Sequence, residues 1–468
     1  MSIARLLVPY NFSAEGRHRR VRAWSVPPNW YNGVPEQVRH ACCEEQLRMR
    51  IIVHGGHPLR GTARPSGNSN AALALIAASM LTDQPVTLHN VPDTLSTSAM
   101  IASAERLGAT VQRNGNDLHL VTPTLLTRSL ERDLADQVGT VLLLAPILAR
   151  RRHARMEVPY PLSRLHTHLT ALRDLGVTVR ASSGVIELEA APWEQRTLTL
   201  LQTSVTATAL VAMLAATLGQ QTTILNAASE PHVQDMLRFL QVMGAHIEGI
   251  GSNVLHIHGI AEPSGGSLTI APDHIEAASL AAIGAITHGA LTIAGVIPEH
   301  LHGIVRVFAR LGVRLFLNGD SLILPVHDTL IASESEEELD VPIETAPWPG
   351  FPSDLIAMAA VIATQTRGTT LIHEKLFDNR LLFVDKLTAM GAQIVLCDPH
   401  RALIVGPSEL RGEYLDTPDV RTGLALLGAA LCSTSSVILD NAQLIGRTFE
   451  NVLDKLVQLG AQIEVVQP

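Results

Sequence analysis

The chain has 468 residues, enough for two or three domains, and is 46% hydrophobic but only 3% aromatic, so its core must be aliphatic. A net charge of −9 with no basic block in its repeated region argues against nucleic-acid binding, and no apolar run reaches the roughly 18 residues of a bilayer span, so no membrane insertion is expected. Four cysteines, two of them the adjacent Cys42 and Cys43, make no disulfide framework, and with no recognisable signal peptide a cytoplasmic protein is expected.

In chain order, residues 1–48 stand apart. They hold Tyr10, Trp24, Trp30, Tyr31 and the run Arg17-His18-Arg19-Arg20. They read as a disordered extension or a start placed too early, with a small accessory segment as the other reading. Arg50-Ile51-Ile52-Val53 reads as the first strand. From there one phrase recurs six times: Leu or Met, then Gly, then Ala or Val. Its glycines are Gly108, Gly176, Gly244, Gly312, Gly391 and Gly460, spaced 68, 68, 68, 79 and 69 residues apart. A fixed period means one supersecondary unit copied along the chain.

About twenty residues before each glycine lies a β-branched run, at 86–88, 156–158, 222–224, 291–293, 369–371 and 435–438, read as strands. Ala/Leu-rich helices precede most of them, for example at 71–81, 207–218 and 423–431. A second helix follows each strand, with apolar residues at helical spacing such as Leu237, Leu240 and Met243. The glycine then ends that helix in a left-handed conformation, which costs a residue with a Cβ about 1–2 kcal/mol. A strand or hairpin comes next, as at 315–317, Asn318-Gly319-Asp320 and 322–324. The expected unit is helix, strand, helix, strand, strand, and the expected class is α/β with six such units. The acidic stretch 334–340 explains most of the one long spacing and reads as a solvated loop.

Longer strings carry a resemblance. They are Ser66-Gly67-Asn68-Ser69-Asn70-Ala71-Ala72-Leu73; Ser204-Val205-Thr206-Ala207-Thr208; Pro272-Asp273-His274-Ile275-Glu276; Thr345-Ala346-Pro347-Trp348-Pro349-Gly350-Phe351-Pro352-Ser353-Asp354; Phe377-Asp378-Asn379-Arg380; Asp419-Val420-Arg421; and Arg447 with Asp454-Lys455-Leu456. Over residues 50–467 the chain resembles the MurA family, the UDP-N-acetylglucosamine enolpyruvyl transferases of peptidoglycan synthesis. The shikimate-pathway enolpyruvyl transferases belong to the same superfamily. The resemblance implies a two-domain inside-out α/β barrel with three units per domain. Residues 50–66 and 272–468 would form one domain and 67–271 the other, with a ligand cleft where helix N-termini favour anions. It also implies transfer of enolpyruvyl from phosphoenolpyruvate to the sugar 3-hydroxyl of UDP-N-acetylglucosamine. Phosphate is released, no cofactor is needed, and a monomer is expected.

By the same resemblance Asp354 is the base on the sugar hydroxyl, although an Asp after a Pro-rich loop would equally serve as a helix N-cap. Arg380, Arg421 and Arg447 match an arginine cluster for phosphate and carboxylate. Asp419 matches an active-site acid, Asn70 a contact on the sugar side, Gln202, Thr203, Ser204 and Val205 a uridine-side loop, and Leu376 an apolar contact to the nucleotide. There are departures. Ser69 stands where the family has a lysine, and the loop near 156–163 lacks the general acid, which is Cys or Asp in the family. Arg164 fits the loop's phosphate-binding arginine only with a one-residue shift, and 136–138 holds no arginine. The losses cluster in the first half of the chain, so a non-catalytic nucleotide-sugar-binding paralogue with a regulatory or scaffold role is the alternative. His168 is a candidate substitute acid. No His, Cys or Glu set has zinc spacing, so no metal is expected.

Overall fold

The structure, a computed structural model, describes residues 49–135, 139–332, 341–416 and 420–466, with the side chains of 420 and 421 outside that description. The N-terminal segment 1–48 and the acidic stretch 334–340 lie outside the described residues. Two helices recur in each unit. We label them α1 (Ser69–Ser79), α2 (Leu95–Arg106), α3 (Leu144–Arg151), α4 (His166–Asp174), α5 (Val205–Leu218), α6 (Pro231–Val242), α7 (His274–Ile286), α8 (His302–Arg310), α9 (Ile356–Gln365), α10 (Val384–Ala389), α11 (Val420–Leu431) and α12 (Val452–Gln458).

The first helix of the pair is apolar nearly all round in α1, α5, α7 and α9, and burial follows. Every residue of α7 is buried, and α1 leaves only Asn70 partly open. The second helix ends each time at the repeated glycine. Gly108, Gly176, Gly244, Gly312, Gly391 and Gly460 all have φ between +80° and +112°. The residue after each glycine donates its N–H five residues back, as Ala109 does to Ala104 at 3.0 Å and Ala461 to Leu456 at 2.9 Å. This is the Schellman arrangement that only a left-handed residue permits without strain.

Among the described residues six sheets share one pairing scheme, with one parallel step followed by two antiparallel steps; one of them adds a second parallel pairing, of Ile343–Glu344 with Ile372–His373. The parallel strand is an addition to the unit read from sequence, because short segments such as Ser129–Leu130 and Gly266–Thr269 carry little pattern of their own. Gly266–Thr269 pairs with Val86–His89, two units earlier in the chain. Arg50–His54 sits between Val437–Asp440 and Gln462–Val466, so the first strand completes the sheet of the last unit.

The buried hydrophobic side chains fall into two clusters. One spans Ala71 to Ile270, and the other joins Ile51–Ala63 to Ile275–Ala461. We call the parts around them the first and second lobes. The chain passes between them at 66–68 and 271–273, where the two passages bond each other: Asn68 N–H donates to the Ala271 carbonyl at 3.0 Å and Asp273 N–H to that of Ser66 at 2.8 Å. Glu276 accepts the Ser66 N–H at 2.9 Å, and Lys455 donates to both the Glu276 carboxylate and Ser66 Oγ. Three of the strings singled out in the sequence therefore brace this crossing. Among the described residues no helix is long and apolar enough to cross a membrane.

Candidate active site

Where the lobes meet, a cavity of about 140 Å³ is lined by Asn70, Val205, Glu230 and His232 from the first lobe and by His274, Trp348, Asp354, Leu376, Phe377 and Arg380 from the second. A smaller apolar chamber of about 50 Å³ adjoins it behind Asn70, Val205 and His232. The lobes touch here: Ser229 Oγ donates to the Trp348 carbonyl at 3.1 Å, and His232 stacks on His274 with ring centroids 6.5 Å apart.

Asp354 lies in the 3-10 turn Ser353–Leu355 that leads into α9. The α9 N-terminus has no side-chain cap, so Asp354 is not an N-cap. It accepts instead from Arg380 Nη1 at 3.0 Å. The Arg380 guanidinium also stacks on the Phe377 ring, 4.2 Å from its centroid. Such a pair is oriented as well as charged, because the ring supports one face of the guanidinium while the carboxylate takes its edge.

The geometry depends on a residue that the sequence reading passed over. Glu374 is fully buried, and its Oε1 accepts from Thr345 Oγ1 at 2.9 Å, Leu376 N–H at 2.8 Å and Phe377 N–H at 3.1 Å. Its other oxygen accepts from Ser353 Oγ. One carboxylate thus ties the residue before Asp354 to the turn that carries Leu376, Phe377 and Arg380. A Glu at the end of a strand gives no such signal in sequence, since the two hydroxyls it holds, those of Ser353 and Thr345, lie 21 and 29 residues away.

In the first lobe Asn70 reaches the cavity, but Asn68 caps α1 by accepting the Ala71 N–H at 3.0 Å. Ser69 does not line the cavity. It is 1% exposed and its Oγ contacts Thr94 Oγ1 at 3.2 Å, because neighbouring helix positions point about 100° apart and Asn70 takes the open side. Ser204 caps α5 through Ala207 N–H at 3.3 Å, Thr203 donates to Asn226 at 2.8 Å, and Gln202 is exposed. Of that loop only Val205 lines the cavity. Arg164 is exposed with its guanidinium 5.8 Å from the Tyr160 ring centroid. Arg447 is exposed in the 3-10 turn Ala442–Arg447 and does not line the cavity. Asp419 and the side chain of Arg421 lie outside the described residues. His168 is buried, bonds Thr206 at 2.8 Å and is pushed down to about 4 by burial, so it is neutral and away from the cavity.

Three histidines to which the sequence assigned no site role sit at the lobe boundary. Burial pushes His232 down to about 4 and His274 to about 3. Both ring nitrogens of His232 are buried without a partner. His300 meets His274 and Trp348 edge to face, at 5.9 and 6.4 Å. Only their spatial convergence marks them, since residues 232, 274 and 300 belong to different helices and turns.

The model of the EPSP synthase (3-phosphoshikimate 1-carboxyvinyltransferase) family matches residues 53–456. The chain belongs to this family. It is 42% identical over 426 residues to the UDP-N-acetylglucosamine 1-carboxyvinyltransferase of Bradyrhizobium diazoefficiens, covering 89% of this chain and 98% of that protein. The protein of the same name from Treponema denticola is 40% identical, with 88% and 98% covered. Among solved structures, the enolpyruvyl transferase NikO from Streptomyces tendae superposes with a TM-score of 0.79 at 25% identity, over 90% of this chain and 99% of that one. EPSP synthase from Acinetobacter baumannii shares the fold at 14% identity, with a TM-score of 0.69. Family membership accounts for the two-lobed α/β architecture.

Proposed function

We propose that the protein transfers enolpyruvyl from phosphoenolpyruvate to the 3-hydroxyl of UDP-N-acetylglucosamine, as the names of its relatives suggest, in the cytoplasm and on the way to peptidoglycan. The observation that carries this reading is the Asp354–Arg380 pair at the mouth of α9, facing Asn70 and Val205 across the cavity. A carboxylate within reach of a hydroxyl acts as its base, and a guanidinium beside it suits the phosphate or carboxylate of phosphoenolpyruvate. Asn70 would bind the sugar and Leu376 the nucleotide, with Gln202, Thr203, Ser204 and Val205 toward uridine. Arg164, Arg421 and Arg447 would add cationic contacts when the lobes close on substrate, and Asp419 a second acidic group. The two hydrophobic clusters support a division into domains 67–271 and 50–66 with 272–468.

The test is phosphate release from phosphoenolpyruvate in the presence of UDP-N-acetylglucosamine. Release that depends on both substrates and is abolished by Asp354→Asn is expected. Absence of release at high enzyme concentration, with calorimetric binding of the nucleotide sugar retained, would instead indicate the binding-only paralogue.

A further inference from the structure

Enolpyruvyl transfer needs a group that gives a proton to the methylene carbon of phosphoenolpyruvate and takes it back. The loop at 156–163 offers neither thiol nor Asp for this. Among the described residues that line the cavity, few can hold a transferable proton. Asp354 is engaged by Arg380, and Ser353 donates its hydroxyl to Glu374. His232 and His274 are kept neutral by burial, and a neutral imidazole is a very weak acid. Asn70 offers only an amide.

Glu230 remains. It stands immediately before α6, on the first-lobe wall of the same cavity that holds Asp354 on the second. Its Oε2 is buried and has no hydrogen-bond partner, and it does not cap the helix. The titratable groups that share the cavity wall with Glu230 are His232, His274, Asp354 and Arg380; of the elements packed on α6, α1, α5 and the strand Gly266–Thr269 carry none, and the strand His246–Glu248 carries His246 and Glu248, which do not line the cavity. Burial raises the Glu230 carboxyl above its ordinary value and the nearby Asp354 charge adds to this, against the opposing pull of the Glu230 and Ser229 backbone N–H groups. Two carboxyl groups in one cavity, one ion-paired and one buried without a cation, divide naturally into base and acid.

We infer that Glu230 is the general acid and base at the methylene carbon, standing in for the missing loop residue. This rests on the enolpyruvyl-transfer reading above. As the acceptor hydroxyl oxygen bonds to C2 of phosphoenolpyruvate, its proton passes to Asp354. The C2=C3 electron pair takes the Glu230 proton, leaving a methyl group and a Glu230 carboxylate. That carboxylate then removes a proton from the methyl group. C2=C3 re-forms and the C2–O bond to phosphate breaks with its electron pair. Phosphate leaves with the proton held by Asp354, and Glu230 is again protonated.

The full chain is assayed with phosphoenolpyruvate and UDP-N-acetylglucosamine in D₂O, following phosphate release and deuterium at C3. Wild type should place solvent deuterium at C3, and its kcat should fall on the alkaline side as Glu230 ionises. Glu230→Gln should lower kcat about 10²- to 10⁴-fold, the usual contribution of a positioned acid, while leaving KM for the sugar nucleotide little changed. It should also lose the deuterium uptake and the alkaline limb in whatever rate remains. Glu230→Asp should recover part of the rate. Nucleotide-sugar binding by calorimetry establishes that each variant is folded. A Glu230→Gln protein that keeps wild-type turnover, deuterium uptake or the alkaline limb overturns the assignment and leaves the transferase reading standing. No turnover by wild type overturns both.

Discussion

Removing the Glu374 carboxylate should loosen the site from behind. In Glu374→Ala, the N–H groups of Leu376 and Phe377 lose their acceptor in a place water does not reach, since Glu374 is 0% exposed. Each stranded donor costs about 1–3 kcal/mol. The Thr345 and Ser353 hydroxyls can rotate to other partners and are left out of the sum, but the lost side chain leaves a cavity. The expected destabilisation is about 4 kcal/mol, at the exceptional end for a single substitution. Glu374→Gln should cost far less, about 1–2 kcal/mol, because the three bonds at Oε1 can pass to the amide oxygen and only the Ser353 contact must reverse. The turn that carries Arg380 should shift in the Ala variant, and a misplacement near 1 Å is enough to cost about 10²-fold in rate. Urea unfolding followed by circular dichroism gives the first quantity and phosphate release the second. An Ala variant within about 0.5 kcal/mol of wild type, the range of neutral surface changes, would refute the claim that this carboxylate organises the site.

Three other outcomes are expected. Asp354→Asn keeps the size of the side chain but removes the base and the charge opposite Arg380, so kcat should fall about 10²- to 10⁴-fold while circular dichroism is unchanged. His274, held near 3 in the fold and near 6.5 when unfolded, takes up its proton in the unfolded chain first, so its contribution to stability is present above about 6.5 and is lost as pH falls toward 3; His274→Phe should therefore flatten the pH dependence of the unfolding free energy by about 1.4 kcal/mol per pH unit between pH 6 and 4, measured by urea titration against wild type. Gly312→Ala should cost more than Gly115→Ala in thermal unfolding, because both sites have positive φ but a Cβ at 312 would meet the Ile331 backbone at 2.5 Å whereas at 115 it meets nothing within 4 Å; the second should lose about 1–2 kcal/mol and the first distinctly more.

The repeated unit was legible because its signals are local. A glycine that must be left-handed, a helix apolar on one stripe or all round, and a β-branched run each state their structure within a dozen residues. Six copies made the architecture readable before any fold was seen, and the strings around Asn70, Asp354 and Arg380 were long enough to mark a site and a family. Other assignments needed neighbours that sequence does not supply. Asn70 and Ser69 are adjacent, and only the rotation of α1 sends one into the cavity and the other against Thr94. Lys455 and Glu276, which belong to two separate strings of the family resemblance, meet at the crossing between the lobes, 179 residues apart. Glu374, His232 and Glu230 carry no motif of their own. Their burial, and for Glu230 and His232 their unbonded polar atoms, arise only when segments far apart in the chain close around one cavity. Local conformational preference therefore settled the scaffold, while desolvation and long-range contact decided which polar groups face the chemistry.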